Sequence, residues 1–170
     1  RHERVSLTTA RWSDQIELDI SGYLSSEAPP LDLVSSVRAI VLRDDRVLVM
    51  RNRDGDHILP GGRVEQGETL DETLRRELLE EAGATIEVIE QIGFVHLRHT
   101  TPKPKNYPYP YPDFLWPVCV ASCVDWNPDA KVKDNYDVSS RFMPLPQAGR
   151  LVSADGYEKA FLEAAIAARS

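Results

Sequence analysis

Cysteine is scarce in this chain, which has only two in 170 residues. A chain of this length can bury a core without disulfide bonds. Cys119 and Cys123 are spaced so that both lie on one face of a strand, too far apart along it to bridge. We therefore predict two buried free thiols, with a redox or metal-binding role as the alternative.

Long apolar runs are also absent. No segment approaches the roughly 18 consecutive apolar residues of a membrane span. Residues 1–20 mix charged and apolar side chains and lack the continuous apolar stretch of a secretory signal. The hydrophobic content of 42% and charged content of 28% are those of a globular protein. These features predict one soluble domain, a cytoplasmic location and no membrane partner.

Basic residues are outnumbered by acidic ones, 20 to 27, which gives a formal net charge of −7. Proteins that bind the nucleic-acid backbone usually carry a basic face, so a nucleic acid polymer is not an expected partner. Small anionic substrates are compatible with this charge. Carboxylates that hold divalent cations invert the local charge and attract phosphates.

Short apolar segments typical of strands alternate with two helical segments. The predicted strands cover residues 34–42, 47–51, 86–92, 94–97, 114–124 and 141–145, and the predicted helices cover 70–82 and 157–168. A weakly patterned lead-in, residues 1–33, comes before them and is expected to pack on the domain. This order predicts an α/β fold with a mixed sheet covered by helices.

The helix over residues 70–82 has recognisable boundaries. Thr69 and Glu72 stand at the two positions of a capping box, and Gly83 stands where a left-handed C-cap belongs. The sequence therefore indicates both where this helix begins and where it ends.

Three glutamates of this helix share one face. Glu77, Glu80 and Glu81 are spaced i, i+3 and i+4, which places them within a sector of about 100°. Such carboxylates repel one another unless a cation lies among them, and Mg²⁺ is a suitable ion. A solvated surface is the alternative. The neighbouring Gly61-Gly62 pair favours a site, because glycine lets the backbone approach a ligand closely.

Residues 62–84 resemble the complete Nudix box, G-x5-E-x7-R-E-U-x-E-E-x-G-U. The fixed positions are matched by Gly62, Glu68, Arg76, Glu77, Glu80, Glu81 and Gly83. The one soft departure is Ala84, where a bulkier aliphatic residue is usual. The resemblance implies the Nudix fold, an α/β/α sandwich with a mixed β-sheet between helices, with residues 34–170 as the Nudix hydrolase domain.

The resemblance also implies a reaction, the hydrolysis of a diphosphate linkage in a nucleoside diphosphate linked to another moiety, or in a related nucleotide. It implies Mg²⁺ or Mn²⁺ as cofactor and no organic cofactor. The implied metal ligands are Glu77, Glu80, Glu81 and the carbonyl of Gly62. Arg76, with Glu68, would orient this set, which makes Arg76 a further catalytic candidate.

The sequence offers more than one candidate for the general base. Glu77 and Glu80 are the candidates inside the box. Asp134 and Asp137 are candidates outside it, because they precede the last predicted strand, and solvated loop aspartates are the alternative for both.

Residues outside the box are candidates for substrate selectivity. Alternating prolines force residues 99–113 into an extended path. We call this segment the Tyr-Pro loop. It is expected to overhang the site, where Lys103 or Lys105 would contact a phosphate and a tyrosine would contact a base. The alternatives are a rigid surface connection and a homodimer contact. His57, Arg51 and Arg53 are placed to face substrate or solvent. Trp116 is expected in the core.

The particular diphosphate is not indicated. Oxidised nucleotides, ADP-ribose, nucleotide sugars and dinucleoside polyphosphates all fit the class. The competing hypothesis is a noncatalytic Nudix-fold domain that binds a nucleotide or a protein. Such domains usually lose box carboxylates, and this chain has all of them.

Overall fold

A computed structural model describes residues 2–131 and 137–169. Within these residues, nine strands form one curled sheet. The strands are β1 (Glu3–Ser13), β2 (Ile16–Leu24), β3 (Ser36–Arg43), β4 (Arg46–Asn52), β5 (Gly55–His57), β6 (Gly61–Arg63), β7 (Ala84–His99), β8 (Asp113–Trp126) and β9 (Asp137–Pro144). The helices are α1 (Leu70–Ala82), α2 (Leu145–Leu151) and α3 (Tyr157–Arg169).

The sheet is mixed, as predicted. Its strand order is β1-β2-β7-β8-β3-β4-β5, with β6 also paired to β3 and β9 to β4. Strands β3 and β8 run parallel, and the other strand pairs of the described residues are antiparallel.

Both faces of the sheet are covered at its centre, which explains why residues 39–42 of β3 and 47–50 of β4 are continuously apolar. Alternate residues of a strand point to opposite faces. One set packs with Leu74 and Leu78 of α1, and its members are Val37, Ala39, Val41, Leu48 and Met50. The other set packs with Phe161 of α3, and its members are Ile40, Leu42, Val47 and Val49. The α/β/α layering predicted from the box is therefore confirmed.

Helix α1 has the boundaries that the sequence predicts. The Thr69 side chain accepts a hydrogen bond from the Glu72 N–H at 3.1 Å, and the Glu72 carboxylate accepts one from the Thr69 N–H at 2.9 Å. Gly83 ends the helix in the left-handed region at φ 68°. Both ends of the helix thus satisfy backbone groups that would otherwise lack partners.

Two predictions of secondary structure were wrong. The segments 86–92 and 94–97 form one strand, β7, because Gly93 stays in the sheet where Tyr23 and Phe161 approach it too closely for a side chain. The segment 141–145 belongs to the longer β9, which ends at Pro144, and the unpredicted α2 follows at once.

The lead-in contains a hairpin that the sequence pattern did not reveal. Strands β1 and β2 pair with each other, and β2 pairs with β7 along residues 18–24. The first residues thus extend the same sheet. The division into a lead-in and a domain from residue 34 stays a prediction.

Two smaller expectations can be compared with the structure. Cys119 and Cys123 are both buried and free, in the core layer beneath α1, which confirms the interpretation as buried thiols. Among the described residues, every helix is too short or too polar to cross a membrane.

Candidate active site

A cavity of about 770 Å³ opens where the chain around β6 meets α1. Five predicted site residues line it, namely Gly62, Arg76, Glu77, Glu80 and Glu81. The four from α1 lie within one and a half helical turns, so the helix alone brings them together. Strand β6 supplies Gly62, which pairs with Val37 of β3. We call this space the glutamate cavity.

Arg76 is the centre of an ion-pair network. Its guanidinium donates two hydrogen bonds to Glu68, at 2.6 and 3.0 Å, in a bidentate arrangement. It also donates to Glu77 at 3.1 Å and, less closely, to Glu80 at 3.4 Å. A further bond of 3.0 Å reaches the carbonyl of Arg63. Arg76 therefore ties the helix to β6.

Glu68 holds Arg76 from the loop before α1. The hydrogen bonds from Arg76 lower the pKa of Glu68 from 4.5 to about 2, with help from the Glu65 N–H. The Thr73 hydroxyl donates a further bond of 2.8 Å to the same carboxylate. The same ion pair raises the pKa of Arg76. The Glu68 carboxylate thus already accepts several hydrogen bonds from the protein, which suits a positioning role better than ligand binding.

Glu77 packs directly against the backbone of Gly62. Its side chain is buried, and a Cβ added at residue 62 would overlap the Glu77 carboxyl group. The Nudix box requires glycine here, and the structure gives a steric reason. Only glycine leaves room for a carboxylate between α1 and β6.

The carboxylate oxygens in this cavity have the chemistry of a site for a hard divalent cation. Three of the four box glutamates, Glu68, Glu77 and Glu80, pair with the single box arginine, so negative charge is left over. In the described part of the chain, no three acidic, histidine or cysteine side chains converge on one point. Arg76 holds Glu77 and Glu80 in ion pairs in this arrangement.

The other charged candidates have different positions. His57 lines the glutamate cavity, and its Nδ1 accepts a hydrogen bond of 3.3 Å from the Leu59 N–H. Arg51 pairs with Asp56 at 3.1 Å, and Arg53 is exposed; neither is among the described residues that line the cavity. Asp134 and the side chain of Asp137 lie outside the described residues, so their roles stay predictions.

The Tyr-Pro loop brings tyrosines, not lysines, towards the site. Tyr107 and Tyr109 line a second cavity beside the first. Lys103 and Lys105 are exposed and do not line either cavity as described. The Tyr107 hydroxyl lies 3.0 Å from Nε2 of the buried His99, which fixes the base of the loop.

The sequence does not predict the position of several residues that line the cavity. Glu158 of α3 lines the glutamate cavity and accepts a hydrogen bond of 2.9 Å from the Ile58 N–H, one hundred residues away in the chain. Trp116 was expected in the core, yet it is only half-buried and lines both cavities together with Arg38. No local pattern indicates contacts across so long a separation.

Comparison with known proteins identifies the family. The family model of the NUDIX domain matches residues 32–164. Solved structures with the same fold include a NUDIX hydrolase from Nitrosomonas europaea, with a TM-score of 0.57, 20% identity and coverage of 79% of this chain and 89% of that one. A second is the pyrophosphohydrolase BsRppH of Bacillus subtilis, with a TM-score of 0.55, 21% identity and coverage of 73% and 72%. The chain belongs to the NUDIX family of hydrolases, as the box predicted.

Curated relatives match over shorter stretches. The NAD-capped RNA hydrolase NudC of Escherichia coli O157:H7 is 36% identical over 78 residues, which are 44% of this chain and 26% of that protein. A MutT-like protein of Streptomyces ambofaciens is 42% identical over 67 residues, or 39% of this chain and 44% of that protein. The match therefore covers less than half the length of either relative.

Proposed function

We propose that this protein hydrolyses a diphosphate linkage in a nucleoside diphosphate linked to another moiety, with Mg²⁺ or Mn²⁺ as cofactor. The observation that carries the proposal is the network in which Arg76 joins Glu68, Glu77 and Glu80 on the wall of one open cavity. A solvated helix face would not need a buried glutamate packed on glycine, and Glu77 is only 5% exposed.

The proposed role of each residue follows from its position. Glu77, Glu80, Glu81 and the Gly62 carbonyl would hold the cation, and a bound cation supplies positive charge for the phosphate oxygens and acidifies a water. Arg76 and Glu68 keep the carboxylates in place. A water oxygen forms the new bond to phosphorus while the bond from phosphorus to the bridging oxygen breaks in line. Glu77 or Glu80 takes the proton of that water, and Glu80, which is one-third exposed, is the more accessible of the two.

The test is a chromatographic assay for nucleoside monophosphates, because hydrolysis of a diphosphate linkage inside these compounds yields phosphate monoesters and not free phosphate. The panel contains nucleoside triphosphates, ADP-ribose, nucleotide sugars, dinucleoside polyphosphates, NAD and an NAD-capped oligonucleotide, each with Mg²⁺, with Mn²⁺ and with EDTA. NAD compounds are included because one relative is an NAD-capped RNA hydrolase. We expect metal-dependent turnover of small nucleotides and none of the polymer. If the folded, metal-bound protein forms no product from any compound of the panel, a noncatalytic binding domain would be favoured.

Substitutions that each remove one negative charge test which glutamates bind the cation. Glu80→Gln and Glu81→Gln should each lower turnover about a hundredfold or more, because each removes negative charge where the cation binds. Both should keep the fold, since neither is fully buried. Glu163→Gln, on the exposed side of α3, is the matched control and should behave as wild type. Normal turnover in either site variant would refute the ligand assignment.

The remaining expectations on cellular context stay predictions. The cytoplasmic location rests on composition, and the homodimer rests on one of the three interpretations of the Tyr-Pro loop. Gel filtration of the purified protein decides the second.

A further inference from the structure

A second cavity, of about 340 Å³, adjoins the glutamate cavity. Four residues line both spaces, namely Arg38, Gly62, Arg63 and Trp116. The lining unique to the second cavity is largely aromatic, and its rings are Trp12, Tyr107, Tyr109 and Phe114. We call this space the aromatic cavity. A ligand could therefore extend from aromatic rings at one end to carboxylates at the other.

The aromatic rings come from three separate parts of the chain. Trp12 lies on β1, Trp116 on β8, and Tyr109 on the Tyr-Pro loop. The indoles of Trp12 and Trp116 are nearly parallel, at 14°, with centroids 6.3 Å apart. An isolated exposed tryptophan needs no explanation. Trp12, however, is 48% exposed and aligned with a second indole at the wall of a cavity.

Two arginines mark the boundary between the cavities. The guanidinium of Arg38 lies 4.8 Å from the Trp116 ring centroid, and that of Arg63 lies 4.6 Å from the Tyr109 centroid. Ser36 and the Leu59 carbonyl fix Arg38 by accepting hydrogen bonds of 3.0 and 3.3 Å. Positive charge thus lies beside aromatic faces and next to the glutamates, where an anionic linker between a base and a metal site would pass.

We propose that the aromatic cavity binds the nucleobase of the substrate, with Trp12 and Tyr109 as stacking residues and with Arg38 and Arg63 beside the diphosphate. The proposal rests on the proposed function, because it assigns the other end of the same substrate. Stacking on aromatic side chains is tolerant of base identity. We therefore expect selectivity for a planar base over a sugar phosphate. Trp12 lies before the segment that the NUDIX domain model matches, residues 32–164.

The first experiment measures binding without catalysis. AMP, GMP, CMP, UMP and nicotinamide mononucleotide are titrated in EDTA against tryptophan fluorescence, with ribose 5-phosphate as the probe that lacks a base. At least one nucleotide should bind more tightly than ribose 5-phosphate. Trp12→Ala and Tyr109→Ala should each lower the affinity for that nucleotide about ten-fold or more. Trp12→Phe, which keeps a ring, should stay within about three-fold.

Leu7→Ala is the matched control for damage to the hairpin. Leu7 is exposed on the same strand as Trp12 and lines neither cavity in the described structure, so its loss should leave the affinity unchanged. Thermal unfolding of each variant monitors the fold. Equal binding of nucleotides and ribose 5-phosphate, or unchanged affinity in Trp12→Ala, would overturn the proposal. So would a dimer that dissociates in Trp12→Ala without any change in nucleotide affinity, because Trp12 would then be a subunit contact.

The second experiment separates this inference from the proposed function. With the best substrate of the panel, Trp12→Ala and Tyr109→Ala should raise KM about ten-fold and leave kcat nearly unchanged, because the stacked base is remote from the reacting phosphorus. A loss of kcat with unchanged KM would contradict the base site. Base-selective binding without any metal-dependent hydrolysis would refute the proposed function alone. Hydrolysis without base-selective binding would refute the aromatic cavity alone.

Discussion

Gly61 and Gly62 are adjacent, yet an added side chain would meet different atoms at each. Gly61 has a φ of 148°, and a Cβ there would overlap the backbone carbonyl of Val37 in β3. For a Cβ on Gly62, the three nearest atoms all belong to the carboxyl group at the end of the Glu77 side chain. The first contact is with rigid backbone, and the second is with a group that can rotate away.

These neighbours predict opposite phenotypes. Gly61→Ala should lower the free energy of unfolding by about 1–3 kcal/mol, because strain and overlap with β3 have no local relief. Gly62→Ala should unfold near the wild-type denaturant concentration but lose metal-dependent turnover, because it displaces Glu77. Urea unfolding and the chromatographic assay for nucleoside monophosphates compare the two variants. A Gly62→Ala variant of full activity would contradict the role assigned to this contact.

Glu68 makes the stability of the protein depend on pH. Its pKa falls from 4.5 to about 2 on pairing with Arg76. A group with a lowered pKa in the folded state adds stability above its ordinary pKa, and this contribution disappears as pH falls through the folded value. Glu68→Gln should therefore be less stable than wild type at pH 7, and the difference should shrink between about pH 4.5 and about pH 2.

Urea unfolding of both proteins from pH 8 to pH 3 measures that difference. Subtracting the variant from the wild type removes the contribution of carboxylates that lie away from Arg76. Glu163→Gln, an exposed substitution on α3, is the matched control for the loss of one glutamate. A stability difference between wild type and Glu68→Gln that stays constant down to pH 3 would show that the ion pair does not control it.

At the scale of elements, α1 depends on its cap for both position and stability. Thr69→Ala removes the acceptor of the Glu72 N–H and should cost about 1 kcal/mol, which lowers Tm by about 2–4 °C in a domain of this size. Thr69→Ser keeps a hydroxyl and should stay close to wild type. Calorimetry measures both. Equal Tm values for all three proteins would mean that the capping bond contributes nothing.

The elements differ in how far the sequence predicts them. Helix α1 was predicted at both ends because its signals are local: a capping residue, a glutamate three positions on and a terminal glycine. Strand β7 is predicted as two segments, on either side of Gly93, and glycine inside a strand often marks a bulge or a close approach. That glycine is explained by Tyr23 and Phe161, which are distant in sequence.

At the scale of the whole molecule, the two cysteines report on global unfolding. Burial raises the pKa of Cys119 to about 12, and it raises that of Cys123 as well. Only the thiolate reacts with an aromatic disulfide reagent. At pH 8 the native protein should therefore release almost no thiolate product, and the protein in urea should react at both cysteines.

Cys123→Ser distinguishes the two thiols, because it should leave one reactive group in urea and none in buffer. Rapid reaction of either cysteine in the native protein would contradict the buried packing beneath α1. It would also revive the redox or metal-binding alternative for that residue.

The spacing of residues in the sequence is enough to predict which side chains share one wall of the glutamate cavity. Arg76, Glu77, Glu80 and Glu81 lie within six consecutive positions, and helical periodicity alone brings them to one cavity wall. The residues that face them depend on contacts between distant parts of the chain. Glu158, Trp12 and the Tyr-Pro loop reach the two cavities only through pairing of distant strands and packing of α3, which involve contacts that no local pattern specifies. Local spacing therefore predicted the reaction, whereas the long-range folding of the sheet placed the residues proposed to select the substrate.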